Sequence, residues 1–289
     1  MIKITDKTAL VTHKGCTDGS GCAMVFVLAG GLSKNIIFRG PKECSLTVEQ
    51  AKDFDQVLFA DVCPNDLSDP AGGKPWKVFD HHETNHRKHS DNAGCVFSSI
   101  RCGTSLFAEQ LGLDIEFGSH SKLIRSIEAY DLGNFDNENG MFIATIASSK
   151  EQEDFYQLLL EEGDEIFSKK YLRSEFNALT GIMNHYSSRA VKSAKAFDFE
   201  GYWVAVVVSP NYWKNEIAMR ILNGDKIDGR HVDFVAIADH TSGMISLRSK
   251  DVNVAKIAER FGGGGHAKAA AFRINTLAMH KTLFEEMFG

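Results

Sequence analysis

An apolar run, Trp76 to Phe79, ends in Asp80-His81-His82. A carboxylate and two imidazoles in succession are costly to bury without partners, and they are groups that hold cations or move protons. Two earlier apolar runs finish the same way: Ala9 to Thr12 is followed by His13, and Val57 to Ala60 by Asp61. A bland explanation exists for each one alone, a solvated strand-to-loop junction. The repetition disfavours it. In an open parallel sheet the carboxyl ends of the strands share one edge, where ligands bind. Three such ends in succession, all with metal-ligand chemistry, point to a cation site.

The elements that must position these groups follow from the pattern. Ala9–Thr12 predicts a strand, His13 to Gly21 a glycine-bearing loop, and Cys22 to Leu32 a buried helix rich in small residues. That succession is an α/β layout, and helix N-termini attract anions. The loop is neither a P-loop nor a dinucleotide fingerprint. Ile36–Phe38, Val57–Ala60 and Trp76–Phe79 predict further strands, and Ser45 to Asp53 has the composition of a helix. Asp91 to Arg101 gives no clear pattern. Gly103 opens a helix through Leu111, with Thr104 or Ser105 as its expected N-cap. Ser121 to Tyr130 has a helical apolar face, and Asp131 follows it, a carboxylate set against the helix dipole.

Helices are expected through Lys150–Lys195. From Phe197 onward the pattern changes: a β-rich run at Tyr202–Val208, a helix at Glu216–Leu222, and a hairpin from Phe234–Ala238 and Met244–Arg248. An amphipathic helix at Val252–Phe261 then meets Gly262-Gly263-Gly264-Gly265-His266, and Ala269–Ile274 is a last strand. One glycine ends a helix well; four in a row cost backbone entropy beyond that need. They allow something to approach bare backbone amides, which with His266 and Arg248 could grip a phosphate or a base edge.

The chain has 289 residues, enough for two domains or one large one, and a formal net charge of −6, which disfavours long nucleic acid as a partner. No apolar run is long enough to suggest a membrane span, and the first residues lack a signal-peptide core. The six cysteines form no Cys-x-x-Cys pair. A reduced, cytoplasmic setting is expected. His86 and His89 read as loop residues, and Tyr212 and Trp213 as packing rather than base-stacking side chains.

Together these residues resemble the DHH phosphoesterase superfamily, in the subfamily with a DHH-associated C-terminal domain. The likeness spans nearly the whole chain: His13 with Asp18-Gly19, Asp61, Asp80-His81-His82, Asp131, Ser246-Leu247-Arg248-Ser249, and Gly262 to Ala270. It implies an α/β fold: a parallel-sheet DHH domain over residues 1–185, helical linker from about 150, and a smaller α/β substrate domain over 190–289, with the active-site cleft between them. It implies two divalent cations, manganese foremost, held by His13, Asp18, Asp61, His81 and Asp131, with Asp61 shared by both. Asp80 would orient His81, and His82 would contact the scissile phosphate or help move a proton. Arg248, Gly264, Gly265 and His266 would hold substrate.

One departure stands out. The family usually carries Asp-x-Asp in the first loop, where this chain has Cys16-Thr17-Asp18. Either Cys16 binds a softer metal, one metal site is weaker, or a water takes the place. The function the resemblance implies is hydrolysis of phosphoester bonds in short oligonucleotides or linear dinucleotides, giving nucleoside monophosphates, by a hydroxide bridging two metals. Alternatives are a nucleotide 3′-phosphatase, a pyrophosphate or polyphosphate hydrolase, and, from another class, an inactive nucleotide sensor. No membrane and no long duplex DNA are expected as partners; a homodimer is left open.

Overall fold

The computed structural model describes residues 2–41, 43–209, 213–224, 226–239 and 241–274. The chain divides into two units, Met1–Asn177 and Ala178–Gly289.

The first unit is built on β1 (Thr8–His13), α1 (Thr17–Leu28), β2 (Ile36–Arg39), the short α2 (Val48–Ala51), β3 (Gln56–Ala60), β4 (Trp76–Asp80), α3 (Glu83–His89) and β5 (Cys95–Phe97). Helices α4 (Gly103–Leu111), α5 (Ser121–Asp131), α6 (Glu138–Ala147) and α7 (Gln152–Glu162) follow. The strands form a five-stranded parallel sheet in the order β2-β1-β3-β4-β5. Its central strands are near-continuous apolar runs because both faces are covered. One face packs Leu10, Leu58 and Phe79 against α1, α4, α5 and α6. The other packs Val11, Phe59 and Val78 against Cys44, Leu46 and Cys63.

This topology places the site. β1 lies between β2 and β3, so the order of strands reverses beside it, and ligands bind in α/β sheets at such a switch point. Thr12 pairs with Ala60 and Ala60 with Phe79. The next residue on each strand is His13, Asp61 and Asp80, so register alone aligns them along one sheet edge.

Four local expectations are corrected. Helix α1 begins at Thr17 rather than Cys22, so the glycine stretch is partly its first turn. Its glycines serve close packing: a Cβ on Gly19 would lie 2.1 Å from the His13 carbonyl oxygen, and one on Gly21 2.2 Å from Thr104 Oγ1. Helix α2 is a single turn. Residues 95–97 form an edge strand, too short to leave a periodic pattern. His86 and His89 lie on α3, not in a loop, and His86 stacks on Phe97 at 5.3 Å.

The division between the units falls within α8 (Lys170–Ser193). The second unit continues with β6 (Lys195–Phe199), β7 (Tyr202–Val208), α9 (Lys214–Leu222), β8 (Phe234–Asp239), β9 (Met244–Ser249), α10 (Val254–Arg260), β10 (Gly264–His266) and β11 (Ala269–Arg273). They make a six-stranded mixed sheet, β10-β11-β9-β8-β7-β6. Ile217, Ala218 and Ile221 of α9 pack on Ala205, Val207, Val235 and Ile237. Val254, Ala255 and Ala258 of α10 pack with Val204, Phe234, Leu247 and Ala270. Trp213 stacks on Tyr186 at 5.1 Å, while Tyr212 lies outside the described residues.

Candidate metal centre

In the first unit the structure brings His13, Asp18, Asp61, Asp80, His81, His82 and Asp131 together, joined by Cys16. His81 Nε2 lies 3.2 Å from Asp61 Oδ1, 3.4 Å from Asp18 Oδ2 and 3.3 Å from Asp131 Oδ2. One ring nitrogen thus faces three carboxylates. The opposite oxygen of Asp61, Oδ2, lies 3.5 Å from His13 Nδ1 and accepts from Cys16 Sγ at 3.2 Å. Asp61 therefore turns one oxygen to each of two groups. Its backbone is left-handed, φ +59°, a conformation that Asp tolerates better than most residues and that recurs at functional sites.

Asp80 is fully buried at the end of β4. Its Oδ1 accepts from the backbone N–H of His81 at 2.9 Å and pairs with His82 Nδ1 at 2.7 Å, and its Oδ2 accepts from Asn85 Nδ2 at 2.6 Å. The ring it orients is thus that of His82, where the resemblance implied His81; on His81 it fixes the backbone. The alternation of side chains beyond the strand end explains this: residues 80 and 82 point the same way.

Asp18 has a second task that sequence reasoning missed. Its carboxylate accepts from Gly103 N at 2.7 Å and Thr104 N at 2.8 Å, so it caps α4 from 85 residues away. The local N-cap position is Cys102, whose side chain makes no capping bond, and neither Thr104 nor Ser105 plays that part. Thr104 Oγ1 instead donates to the Asp18 carbonyl at 2.8 Å. Gly103 is there because nothing larger fits: a Cβ would stand 2.6 Å from Asp61 Cβ and 2.8 Å from Asp18 Oδ2. Gln152, from α7, braces the other side. Its Nε2 donates to the His13 carbonyl at 2.9 Å and its Oε1 accepts from Gly15 N at 2.7 Å. No local signal could have found Gln152 or Gly103, because both act through contacts distant in sequence.

The electrostatics are those of a cation site. Burial, then repulsion from Asp61 and Asp131, pushes Asp18 up to about 7. Burial likewise raises Asp131. Burial acts upward on Asp61 too, but hydrogen bonds from His13 and His81 outweigh it and hold Asp61 well below the usual carboxylate range. His81 is held well above its ordinary value, because Asp131, Asp61 and Asp18 outweigh the burial that opposes its charge. Burial pushes the Cys16 thiol well up, assisted by Asp61 and Asp18. Several buried acids thus compete for too little positive charge, which a divalent cation would supply.

The donors fit such an ion. His13, Cys16 and Asp61 form one convergent group, Asp18, His81 and Asp131 another, and Asp61, Asp80, His81 and His82 a third; within each group the ligand atoms lie within 4.8 Å of one another. Asp131 Oδ2 is buried without a hydrogen-bond donor among the described residues.

In the second unit the register aligns His266 with Ala269 and Ala269 with Arg248, so His266 and Arg248 project from one face of the sheet with an alanine between them. Arg248 is anchored by Nε to Asn215 Oδ1 and by Nη1 to the Leu247 carbonyl, both at 2.8 Å. Gly264 and Gly265 form the edge strand β10 beside β11. The glycine run has a structural cause that the sequence did not disclose. Gly262 follows α10 at φ +73°, and a Cβ on Gly263 would meet the Ala271 carbonyl oxygen at 2.1 Å. What approaches this backbone most closely is the chain's own next strand.

The fold and the site define a two-unit α/β protein whose parallel-sheet edge gathers imidazole and carboxylate groups suited to divalent cations. Residues 201–287 match the DHHA1 domain family. Over 287 residues the chain is 24% identical to oligoribonuclease NrnB of Bacillus subtilis, covering 89% of this chain and 70% of that one. Among solved structures it is similar to RecJ of Thermus thermophilus with Mn2+ (TM-score 0.58, 16% identity, 98% of this chain and 52% of that one). It is also similar to the pGpG-specific phosphodiesterase PggH of Vibrio cholerae (TM-score 0.52, 14% identity, 97% and 98%). The DHHA1 match and the likeness to NrnB support the DHH phosphoesterase superfamily, with a DHHA1 C-terminal domain.

Proposed function

We propose that this chain is a metal-dependent phosphodiesterase that cleaves short linear oligonucleotides or linear dinucleotides to nucleoside monophosphates. The observation that carries this reading is the convergence of His13, Asp18, Asp61, His81 and Asp131 in one cluster in a chain related to an oligoribonuclease. The name of the structural neighbour PggH, a phosphodiesterase specific for pGpG, agrees with a dinucleotide-sized substrate. So does the net charge of −6, which offers no long basic track.

His13, Asp18, Asp61, His81 and Asp131 would hold two divalent cations of the manganese class, with Asp61 turned to both. When bound, such ions supply water activation near neutral pH and neutralise phosphoryl oxygens. The chain's own residues do the rest. Asp80 keeps His82 Nδ1 engaged at 2.7 Å, so Nε2 is the ring nitrogen that would contact the reacting phosphate or its leaving oxygen. Arg248 and His266, with the Gly264-Gly265 strand, would hold a substrate phosphate. The protein would work in the cytoplasm, over the domains expected at 1–185 and 190–289.

The test is product chromatography. Purified protein with manganese is offered a linear dinucleotide, a five-residue oligoribonucleotide, a nucleoside 3′,5′-bisphosphate and pyrophosphate. The reading expects mononucleotides from the first two. Release of phosphate only from the bisphosphate or from pyrophosphate would overturn it, as would binding of all four without cleavage, the behaviour of a sensor. Asp61→Ala should abolish turnover with the circular dichroism unchanged; wild-type rates would end the metal assignment.

A further inference from the structure

The convergent groups differ in chemistry. Asp18, His81 and Asp131 offer two carboxylates and an imidazole, whereas His13, Cys16 and Asp61 offer an imidazole, a sulfur and a carboxylate. Cys16 Sγ is 3.3 Å from His13 Nδ1 and 3.2 Å from Asp61 Oδ2, so the sulfur stands inside the donor set. Its remaining contact is structural: it accepts from Gly19 N at 3.1 Å as the N-cap of α1. That bond fixes the direction of the sulfur toward His13 and Asp61. No other cysteine takes part in a convergent group of this kind among the described residues. Oxygen donors suit manganese and magnesium, while thiolate sulfur with imidazole favours zinc and cobalt.

We infer that the centre is chemically asymmetric: His13, Cys16 and Asp61 select a thiolate-preferring divalent ion of the zinc or cobalt kind, while Asp18, His81 and Asp131 take a harder ion of the manganese or magnesium kind. This deepens the metal-dependent reading above and rests on it. Ligation replaces the thiol S–H by a sulfur–metal bond, and the proton leaves to solvent. Cys16 is then a specificity-determining ligand for metal choice, and its capping bond to Gly19 makes the start of α1 the part that aims it.

The experiment uses the full chain, stripped with chelator and titrated with cobalt(II) alone. Thiolate-bound cobalt shows a near-ultraviolet charge-transfer absorption that oxygen- and nitrogen-bound cobalt lacks. The wild type should develop this band and saturate it at a single equivalent. Cys16→Ser and Cys16→Asp should lose it; both replacements supply an oxygen that can still cap Gly19, so the helix start is preserved. Cys95→Ser, which removes the half-buried thiol on β5, should keep it. Elemental analysis after competition between zinc and manganese should show the zinc preference of Cys16→Asp reduced by about 10–100-fold, at least what loss of an outer-shell partner costs. Cobalt bound to the wild type without the band, or an unchanged zinc preference in Cys16→Asp, would overturn the inference while leaving the metal-dependent reading intact. A wild type that binds no cobalt, zinc or manganese would overturn both.

Discussion

Gly103→Ala is the sharpest probe of how the site is built, because it removes no ligand. The added Cβ would stand 2.6 Å from Asp61 Cβ, 2.8 Å from Asp18 Oδ2 and 3.0 Å from Asp61 Cα, where ordinary contact begins at 3.4 Å. The N-terminus of α4 and the Asp61 backbone must separate by about 0.8 Å, the difference between the first and last of those distances. Neither can yield freely. Asp61 is buried and pinned by its N–H to the Phe79 carbonyl at 2.9 Å, and α4 is pinned by Asp18. Overpacking of this kind costs about 1–3 kcal/mol. Displacing Asp61, the carboxylate proposed to be shared by two cations, by nearly an ångström can cost about a hundredfold in rate. The assays are thermal unfolding with and without manganese, and turnover of a linear dinucleotide. Gly181→Ala is the control: Gly181 lies inside α8 with nothing within 4 Å of its added Cβ. There alanine should stabilise by up to about 1 kcal/mol, as in any open helix interior. Wild-type stability and turnover in Gly103→Ala would refute the claim that α4 closes directly on Asp61.

Cation affinity should climb as pH rises through about 7, because the ion competes with the proton on Asp18, which sits at about 7. In the cation-free protein the sign runs the other way. A raised carboxylate holds its proton more tightly folded than unfolded, so stability falls as pH rises from about 4 toward 7. Calorimetry in two buffers of different ionisation heat should reveal proton release, and affinity unchanged between about pH 6 and 8 would refute the account. Asp80 behaves oppositely: despite burial, His82 and then His81 pull it from its ordinary value to about 2. Its stabilisation, about 2 kcal/mol, is present above about pH 4 and is lost as pH falls toward 2. Asp80→Asn should remove that acid-side slope in cation-free unfolding, and an unchanged slope would contradict it. Gln152→Ala should destabilise by about 1–2 kcal/mol and weaken cation binding, since it frees the His13 carbonyl and Gly15 N–H; unaltered affinity would show that the β1–α1 turn holds itself.

The chemistry was legible along the chain. Apolar runs closed by His13, Asp61 and Asp80-His81-His82 require a buried parallel sheet with polar residues along one edge, since central strands covered on both faces admit no polar interior. Asp131 stood out as a carboxylate set against the helix dipole, whereas Asp18 and Cys16 were singled out by the family resemblance. How those groups face one another was set by folding. Register set His13, Asp61 and Asp80 in a row. Packing of α4 against α1 gave Asp18 a capping task in place of Thr104 or Ser105, and alternation past the end of β4 turned Asp80 to the His82 ring. The glycines at 19, 103 and 263 are close approaches whose partners no local pattern names. The reason is general: composition and period report what a residue can do and which face it lies on. Which partner arrives from 85 or 139 positions away is set by the packing of whole elements, and no local pattern encodes it.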